Sequence, residues 1–157
     1  MGKKLKIEAI QSIPGSGYPA PFDEPCRHRE RKQLGNAASL TQFGVNLLRL
    51  PPGSWSSQRH WHSAEDEFVF ILEGEVVLVT DDGEEVLRAG ECAGFRANEP
   101  DGHHLQNRSS RDAAVLEVGS RSNADATVYP DIDMIIAAGT DTYTRRDGTP
   151  YSVDRDN

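Results

Sequence analysis

The chain has 157 residues, a formal net charge of −8 and a hydrophobic content of 36%. This length is enough for one domain with its own core and too short to expect two. The acidic balance argues against a nucleic-acid partner, because such affinity is built largely on Lys and Arg at phosphates. No apolar run approaches the roughly 18 residues that span a bilayer, and the N-terminal sequence lacks the apolar centre of a secretory signal. We therefore expect a soluble, cytoplasmic protein with no nucleic-acid or membrane partner.

The N-terminal part of the chain carries few signals of regular structure. Residues 11–25 contain four prolines, which predicts an extended arm or a lid. Residues 27–32 form a basic cluster that includes a glutamate, and this mixture is typical of a solvated segment or a local ion-pair partner. Cys26 and Cys92 match neither a disulfide framework nor a thiolate zinc site, so we expect two reduced thiols.

From Phe43 onward the pattern changes to short strands. Runs rich in Val, Leu, Ile and Phe alternate with turn sequences such as PPG, DDG and RAG. Asp82 and Gly83 predict a hairpin turn, because glycine readily adopts the positive φ that a tight turn requires. The region therefore predicts an all-β fold, an antiparallel sandwich or barrel.

The end of the chain is ambiguous. Residues 131–139 suit either a short helix or a strand, and residues 145–157 have the composition of a surface tail. We predict a single domain over residues 1–157. Its parts are an N-terminal arm at 1–42, a barrel core at about 43–120 and a C-terminal extension at 121–157.

Two histidines and a glutamate flank the start of one predicted strand, in the sequence HWHSAEDE at residues 60–67. In an extended segment side chains alternate across the sheet, so His60 and His62 project from the same face. Glu67 begins the next strand, from which a carboxylate can reach the same point. The three side chains therefore form a candidate metal site. The simpler alternative is a pair of rim histidines on an exposed hairpin.

A fourth candidate ligand comes from the remaining histidines. Of the five histidines in the chain, only His28 lies outside two short segments. His103 and His104 are adjacent, so on a strand one of them points into the barrel and the other points out. Three imidazoles and one carboxylate suit a single divalent ion, namely Zn, Mn, Fe, Ni or Co, and leave open positions for water or a small-molecule ligand.

The strand that begins at Glu67 is apolar on both faces. Val69 and Ile71 share the inner face with Glu67. The opposite face is also apolar and carries Phe68, Phe70 and Leu72. Because a strand of this kind is covered on both sides, and a second subunit often covers the outside of a small barrel, we predict a homodimer.

The spacing of these residues resembles the first motif of the cupins. That motif has the form G, five residues, HxH, three or four residues, E, six residues, G. Here Gly53, His60, His62, Glu67 and Gly74 follow the same order, with one additional residue in the first gap.

The second cupin motif has the form G, five residues, PxG, two residues, H, three residues, N. In this chain Gly90 begins it, and His103 followed by Asn107 ends it. The sequence RAN at residues 96–98 replaces PxG, and about two residues are inserted before the histidine. The departure leaves the choice between His103 and His104 open, although the spacing to the asparagine favours His103. His104 would then face solvent or support a ligand.

The resemblance covers residues 44–119. It implies a cupin barrel, which is an antiparallel double-stranded β-helix of the jelly-roll type. It also implies one divalent metal ion held by His60, His62, Glu67 and His103.

The resemblance leaves the function open among three classes. The first is an isomerase-like or lyase-like enzyme on a small oxygenated metabolite that chelates the metal, such as a sugar phosphate or a hydroxy or keto acid. The second is an iron-dependent dioxygenase, and the third is a non-catalytic binding or sensor module. Glu117 is a weak candidate for the general base of an enzyme.

Further polar residues are candidates for supporting roles. Arg49, Arg59 and Arg96 suit a carboxylate or phosphate near the barrel mouth, although a surface ion pair is the simpler interpretation of each. Gln106 and Asn107 either orient ligands or carry hydrogen bonds at a strand end.

Overall fold

The computed structural model describes residue 2 and residues 4–152, and this part of the chain contains thirteen strands and one short α-helix. The strands are β1 (Ile13–Pro14), β2 (Glu30–Gln33), β3 (Phe43–Leu50), β4 (Trp61–His62), β5 (Glu67–Glu73), β6 (Glu75–Thr80), β7 (Gly83–Arg88), β8 (Cys92–Phe95), β9 (His104–Gln106), β10 (Ala113–Ser120), β11 (Thr127–Tyr129), β12 (Met134–Ile136) and β13 (Tyr143–Thr144). The helix α1 is Leu34–Ala37, and single 3-10 turns occupy Ile7–Ala9 and Glu24–Cys26. The predicted all-β fold is confirmed. None of the helices described is long and apolar enough to cross a bilayer.

The strands form three antiparallel sheets. The largest has the order β1-β2-β3-β10-β5-β8, and the others have the orders β7-β6-β9 and β13-β12-β11-β4. Two single bridges, Trp55 to Gln106 and His60 to His103, join the segment that leads into β4 to the strand region around β9. The two smaller sheets are therefore linked edge to edge, as in a jelly-roll barrel.

The core lies between the large sheet and the three-stranded sheet. Its buried members come from both and are Leu48, Leu50, Val69, Ile71, Val76, Leu78, Leu87, Leu105, Ala113 and Val115. In β5 the alternation is as the sequence predicts, because Val69 and Ile71 are buried while Phe68 and Leu72 are 41% and 43% exposed. The inner face of β5 thus carries Glu67 towards the interior.

Two glycines fix the path of the chain through the barrel. Gly74 has a φ of +74° at the passage from β5 to β6, and a Cβ there would lie 2.7 Å from the carbonyl oxygen of Asp112. Gly83 has a φ of +125° and pairs with Thr80 across the β6–β7 hairpin. The two turn residues are therefore 81 and 82, one position earlier than predicted.

Both ends of the described chain pack onto the barrel. In the N-terminal arm, β1 pairs with β2 and β2 pairs with β3, while the rest of residues 11–25 is largely irregular as predicted. Residues 146–150 and 152 are exposed, as predicted for a surface tail, although Thr144 bridges Pro150 and the Tyr151 ring lies 5.8 Å from that of Phe22. The rest of that predicted tail lies outside the described residues. Residues 134–136 form a strand, one of the two alternatives considered.

Candidate metal centre and its cavity

The structure brings His60, His62, Glu67 and His103 together around one oxygen atom. Oε2 of Glu67 lies 2.8 Å from Nε2 of His103 and 3.5 Å from Nε2 of both His60 and His62. The pleat of the extended segments determines where each of these side chains points. The two histidines of the HxH sequence share a face, Glu67 starts β5, and the backbone bridge between His60 and His103 sets the fourth side chain beside them.

Hydrogen bonds orient two of the imidazoles. Nδ1 of His60 donates to the carbonyl oxygen of Gln58 at 2.9 Å, so in the neutral ring Nε2 carries the lone pair. Nδ1 of His62 lies 2.6 Å from Oδ2 of Asp125, which selects the same tautomer. Both rings therefore present Nε2 to Glu67 in the form that binds a metal ion, with the other nitrogen held by an oxygen acceptor.

The electrostatics of the group favour a cation at its centre. Burial works against a charge on Glu67, but hydrogen bonds from His103 and His60 hold its pKa well below its ordinary value. Burial likewise opposes charge on His60, yet Glu67 raises the pKa of that imidazole. Burial lowers the pKa of His103. A buried carboxylate thus attracts positive charge, which protons or a divalent ion can supply.

His103 and His104 occupy different environments. The His103 ring stacks on Phe95 with centroids 3.5 Å apart, and its Nδ1 is buried without a hydrogen-bond partner among the described residues. His104 is only 4% exposed, so the expectation that it faces solvent is wrong. Its Nδ1 donates to the Ser57 carbonyl oxygen and its Nε2 accepts from Gln106, both at 2.9 Å. Both nitrogens of His104 are thereby engaged, which leaves His103 as the imidazole at Glu67.

The donor set fits the metal ion that the sequence resemblance implies. Three imidazole nitrogens and one carboxylate oxygen are the ligands that borderline divalent ions accept. Ligand atoms of His60, His62 and Glu67 all lie within 4.8 Å of one another. A second group of His62, Glu65 and Asp125 meets the same distance limit, but Asp125 already accepts hydrogen bonds from His62 and a backbone amide. Its role is therefore to orient His62.

A cavity of about 360 Å³ opens beside this group, a size within the roughly 300–1,000 Å³ of small-molecule sites. Its wall includes the apolar residues Phe68, Val69, Phe95, Leu105 and Val118, and most of the rest of its lining is polar. The polar lining that bears on function is His60, Glu67, His103, Tyr18, Arg29, Arg31, Glu117 and Tyr143. Three residues of the candidate metal group, which consists of His60, His62, Glu67 and His103, therefore face the same space as Arg29, Arg31 and Arg121.

Arg29 and Arg31 correct the interpretation of the basic cluster at residues 27–32. Arg29 is 6% exposed, and Arg31 forms a bidentate pair with Glu117, at 2.7 and 2.8 Å, from a position 86 residues away in the sequence. The segment is therefore neither solvated throughout nor paired only locally. Its inward side chains alternate with outward ones, as in a strand. Only this alternation could have indicated that Arg29 and Arg31 point inward. Because the outward residues are polar as well, the sequence shows no alternation in hydropathy.

The arginines first considered for anion binding instead form surface ion pairs. Arg59 donates two hydrogen bonds to Asp131, at 2.8 and 2.7 Å, and also contacts Asp81. Arg49 and Arg96 likewise pair with carboxylates and do not line the cavity. Arg49 and Arg59 therefore fit the simpler interpretation, whereas Arg96 also lines a small pocket with His62, Glu67 and His103.

Gln106 and Asn107 carry local hydrogen bonds and do not contact the metal group. The Asn107 amide donates to the carbonyl oxygens of Leu50 and Arg111, both at 2.7 Å, which closes the turn between β9 and β10. Gln106 positions His104 and accepts a hydrogen bond from Arg108 at 2.8 Å.

An antiparallel jelly-roll barrel with three histidines and a glutamate at its interior defines a class of proteins. A family model described as Cupin domain matches residues 46–119. A solved structure described as a sugar phosphate isomerase from a cupin superfamily, from Silicibacter pomeroyi, is 42% identical with a TM-score of 0.89. The match covers 97% of this chain and 98% of that one. The chain therefore belongs to the cupin superfamily.

More distant structures share the fold. A provisionally named sugar phosphate isomerase of Acidithiobacillus ferrooxidans is 24% identical with a TM-score of 0.70, covering 80% of this chain and 81% of that one. An oxalate decarboxylase predicted in Thermotoga maritima is 22% identical with a TM-score of 0.59, covering 76% of this chain and all of that one. No protein of curated function matches the chain.

Proposed function

We propose that this cupin is a metal-dependent isomerase of a small sugar phosphate. The observation that carries the proposal is the contact of one Glu67 oxygen with three histidine Nε2 atoms in the wall of a polar cavity. The Silicibacter pomeroyi structure, similar over nearly the whole of both chains, supports the reaction class.

In this proposal His60, His62, Glu67 and His103 hold one divalent ion. When bound, such an ion acts as a Lewis acid on a substrate oxygen. The protein supplies the orientation of the ligands through Gln58 and Asp125, and it supplies the cavity in which the substrate carbonyl lies.

Isomerisation of an aldose to a ketose also needs a group that moves a proton between neighbouring carbons. Glu117 is the cavity carboxylate best placed for this step. It lies on β10 directly opposite Val69 of β5, so its side chain shares the inner face of the sheet with Glu67. Arg31 fixes the carboxylate in one orientation through two hydrogen bonds. We propose that Glu117 accepts the proton from C2 and returns it to C1, while the hydroxyl proton passes from the C2 oxygen to the C1 oxygen.

The test combines metal analysis with an exchange assay. Purified protein is analysed for metal and incubated in D₂O with a panel of aldose and ketose phosphates. Proton NMR then follows exchange at the carbon beside the carbonyl. We expect stoichiometric metal and exchange, with Glu117→Gln slower by about 10²-fold or more. The exposed Glu73 at the end of β5 gives a matched control, Glu73→Gln, that retains the wild-type rate.

Three results would contradict the isomerase. Bound iron with oxygen consumption would indicate the dioxygenase, and fragmentation of the substrate would indicate a lyase. Stoichiometric metal with no turnover of any sugar phosphate would indicate a binding module.

We also propose that the protein is a homodimer through the outer face of β5. Phe68 and Leu72 stand on that face and are 41% and 43% exposed. Exposed large apolar side chains on a sheet face are typical of a surface that a partner covers. Light scattering should give a mass near twice the 17.3 kDa of the chain, and a monomer mass would contradict the dimer.

A further inference from the structure

Arg29 is a buried cation in the cavity wall whose hydrogen-bonding capacity is only partly used. Its Nε donates to the carbonyl oxygen of Gly15 at 2.9 Å, and the Gly15 amide donates back to the Arg29 carbonyl oxygen, also at 2.9 Å. This reciprocal pair fixes the side chain against the N-terminal arm. Within residues 4–152, neither terminal nitrogen of the guanidinium has a hydrogen-bond partner, and no carboxylate lies in ion-pair contact with it.

The charge around Arg29 is unbalanced. The cavity wall at this end holds the guanidinium groups of Arg29 and Arg31 and the carboxylate of Glu117, and both oxygens of Glu117 already accept from Arg31. Burial, followed by the neighbouring charge of Arg31, lowers the pKa of Arg29. A buried guanidinium that lacks a counter-charge is costly, so this end of the cavity favours an anion.

Two tyrosines line the same cavity as Arg29, and the charge of Arg29 acts on both of their hydroxyl groups. The rings of Tyr18 and Tyr143 lie 5.4 Å apart, and both residues line the cavity. Burial raises the pKa of each, so both hydroxyl groups stay protonated and can donate. Tyr18 packs on Tyr129 at 5.7 Å, and Tyr129 packs on His60 at 5.8 Å. A chain of ring contacts through Tyr129 thus connects Tyr18 to His60 of the metal group.

We propose that Arg29, flanked by Tyr18 and Tyr143, is the subsite for the phosphate group of the substrate. The two terminal nitrogens of an arginine form a planar fork that matches two phosphate oxygens, and a tyrosine hydroxyl can donate to the third. The assignment rests on the proposed function in one respect, which is that the same molecule presents its oxygenated carbons to the metal group. A sugar phosphate carries both the phosphate group and the oxygenated carbons.

The experiment titrates inorganic phosphate into the full-length protein by isothermal titration calorimetry, with metal content measured on each sample. Arg29→Met should weaken phosphate binding roughly tenfold or more, as expected for lost charge-assisted hydrogen bonds, without changing the metal stoichiometry. Arg49→Met, which removes an ion-paired arginine of the adjacent strand β3 outside the cavity, should bind phosphate as the wild type does. His62→Ala should retain phosphate binding while losing metal.

Several outcomes would overturn the inference. Equal phosphate affinity in Arg29→Met and wild type would do so, as would binding that is lost only in His62→Ala, because phosphate would then be a ligand of the metal. Acetate that binds as tightly as phosphate and depends equally on Arg29 would replace the phosphate with a carboxylate. Phosphate binding that depends on Arg29 in a protein that holds no metal would instead defeat the proposed function and leave the anion site standing.

A measurement on the wild type covers the case in which Arg29→Met does not fold. In a proton–nitrogen NMR spectrum of the arginine side chains, the Nε–H of Arg29 is identified by its absence in Arg29→Lys. Its resonance should shift on addition of inorganic phosphate. A resonance that stays in place at saturating phosphate would refute the assignment.

Discussion

The metal group and the cationic wall face one cavity but come from different regions of the chain. His60, His62, Glu67 and His103 all lie within residues 46–119, the part that matches the Cupin domain. The cationic wall, formed by Tyr18, Arg29, Arg31 and Tyr143, comes from outside that range, whereas the cavity carboxylate of Glu117 lies within it. We infer that the barrel strands determine the chemistry of the site and that the two flanking segments determine which molecule reaches it.

The two regions also differ in how fully their polar atoms are used. At the metal group, protein acceptors orient two of the three imidazoles, and Glu67 contacts all three rings. At the wall, Arg29 keeps two nitrogens without partners among the described residues. The oriented ligands of the metal group suit a small ion. The unused donors of Arg29 suit a larger polar group that carries hydrogen-bond acceptors.

The largest expected effect is on metal content, and it comes from a change in the metal group. His62→Ala removes a nitrogen at the centre of the group, so we expect loss of stoichiometric metal, measured by elemental analysis. His28 is exposed and outside the cavity, and His28→Ala should keep the full metal content. A His62→Ala protein that still binds one equivalent would remove this histidine from the ligand set.

A smaller loss of metal affinity should follow from Asp125→Asn. Asp125 lies 2.6 Å from His62 Nδ1 and orients that ring without facing Glu67. Loss of such a supporting group typically costs about 10–100-fold in metal affinity. Competition with a chelator would measure it, and Asp147→Asn, at an exposed turn, is the control. Affinity within twofold of wild type would show that the His62 orientation is set by packing alone.

The wall should respond in stability and leave metal content unchanged. Arg31→Met leaves Glu117 without its partner, and the two side chains are only 24% and 19% exposed. We expect a loss of about 2 kcal/mol in the free energy of unfolding, below the roughly 3–5 kcal/mol of a fully buried pair. Urea unfolding measures it, and adding Glu117→Met should recover much of the loss. A fall in metal content in Arg31→Met would contradict the separation of the two regions.

The smallest expected effect on stability comes from a surface ion pair that has the same bidentate geometry. Arg108 binds Glu84 through two hydrogen bonds of 2.6 and 2.7 Å, but both side chains are about half exposed. Exposed pairs contribute little to stability, so Arg108→Met should unfold near the wild-type urea midpoint. An effect as large as that of Arg31→Met would show that burial does not distinguish the pairs.

The sequence predicts the barrel and the convergence of the four metal-group residues better than it predicts the wall. The period of two in an extended chain places His60 with His62, and the next strand brings Glu67 back to them, so local geometry suffices. Arg29, just before β2, and Arg31, on β2, alternate inward, and no alternation in hydropathy indicates it. Tyr143 reaches Tyr18 across 125 positions of sequence, and no spacing rule indicates such a contact. The burial of His104 could not be predicted, because strand alternation does not show that Ser57 and Trp55 cover this side chain.

The packing of residues 143–151 against residues 18–22 sets an order of events during synthesis. Tyr143 meets Tyr18, and Tyr151 meets Phe22, so the cavity wall is closed only after nearly the whole described chain has left the ribosome. All four metal-group residues are made some 40 residues earlier. A nascent chain therefore exposes His60, His62, Glu67 and His103 before the packing that completes the cavity wall has formed.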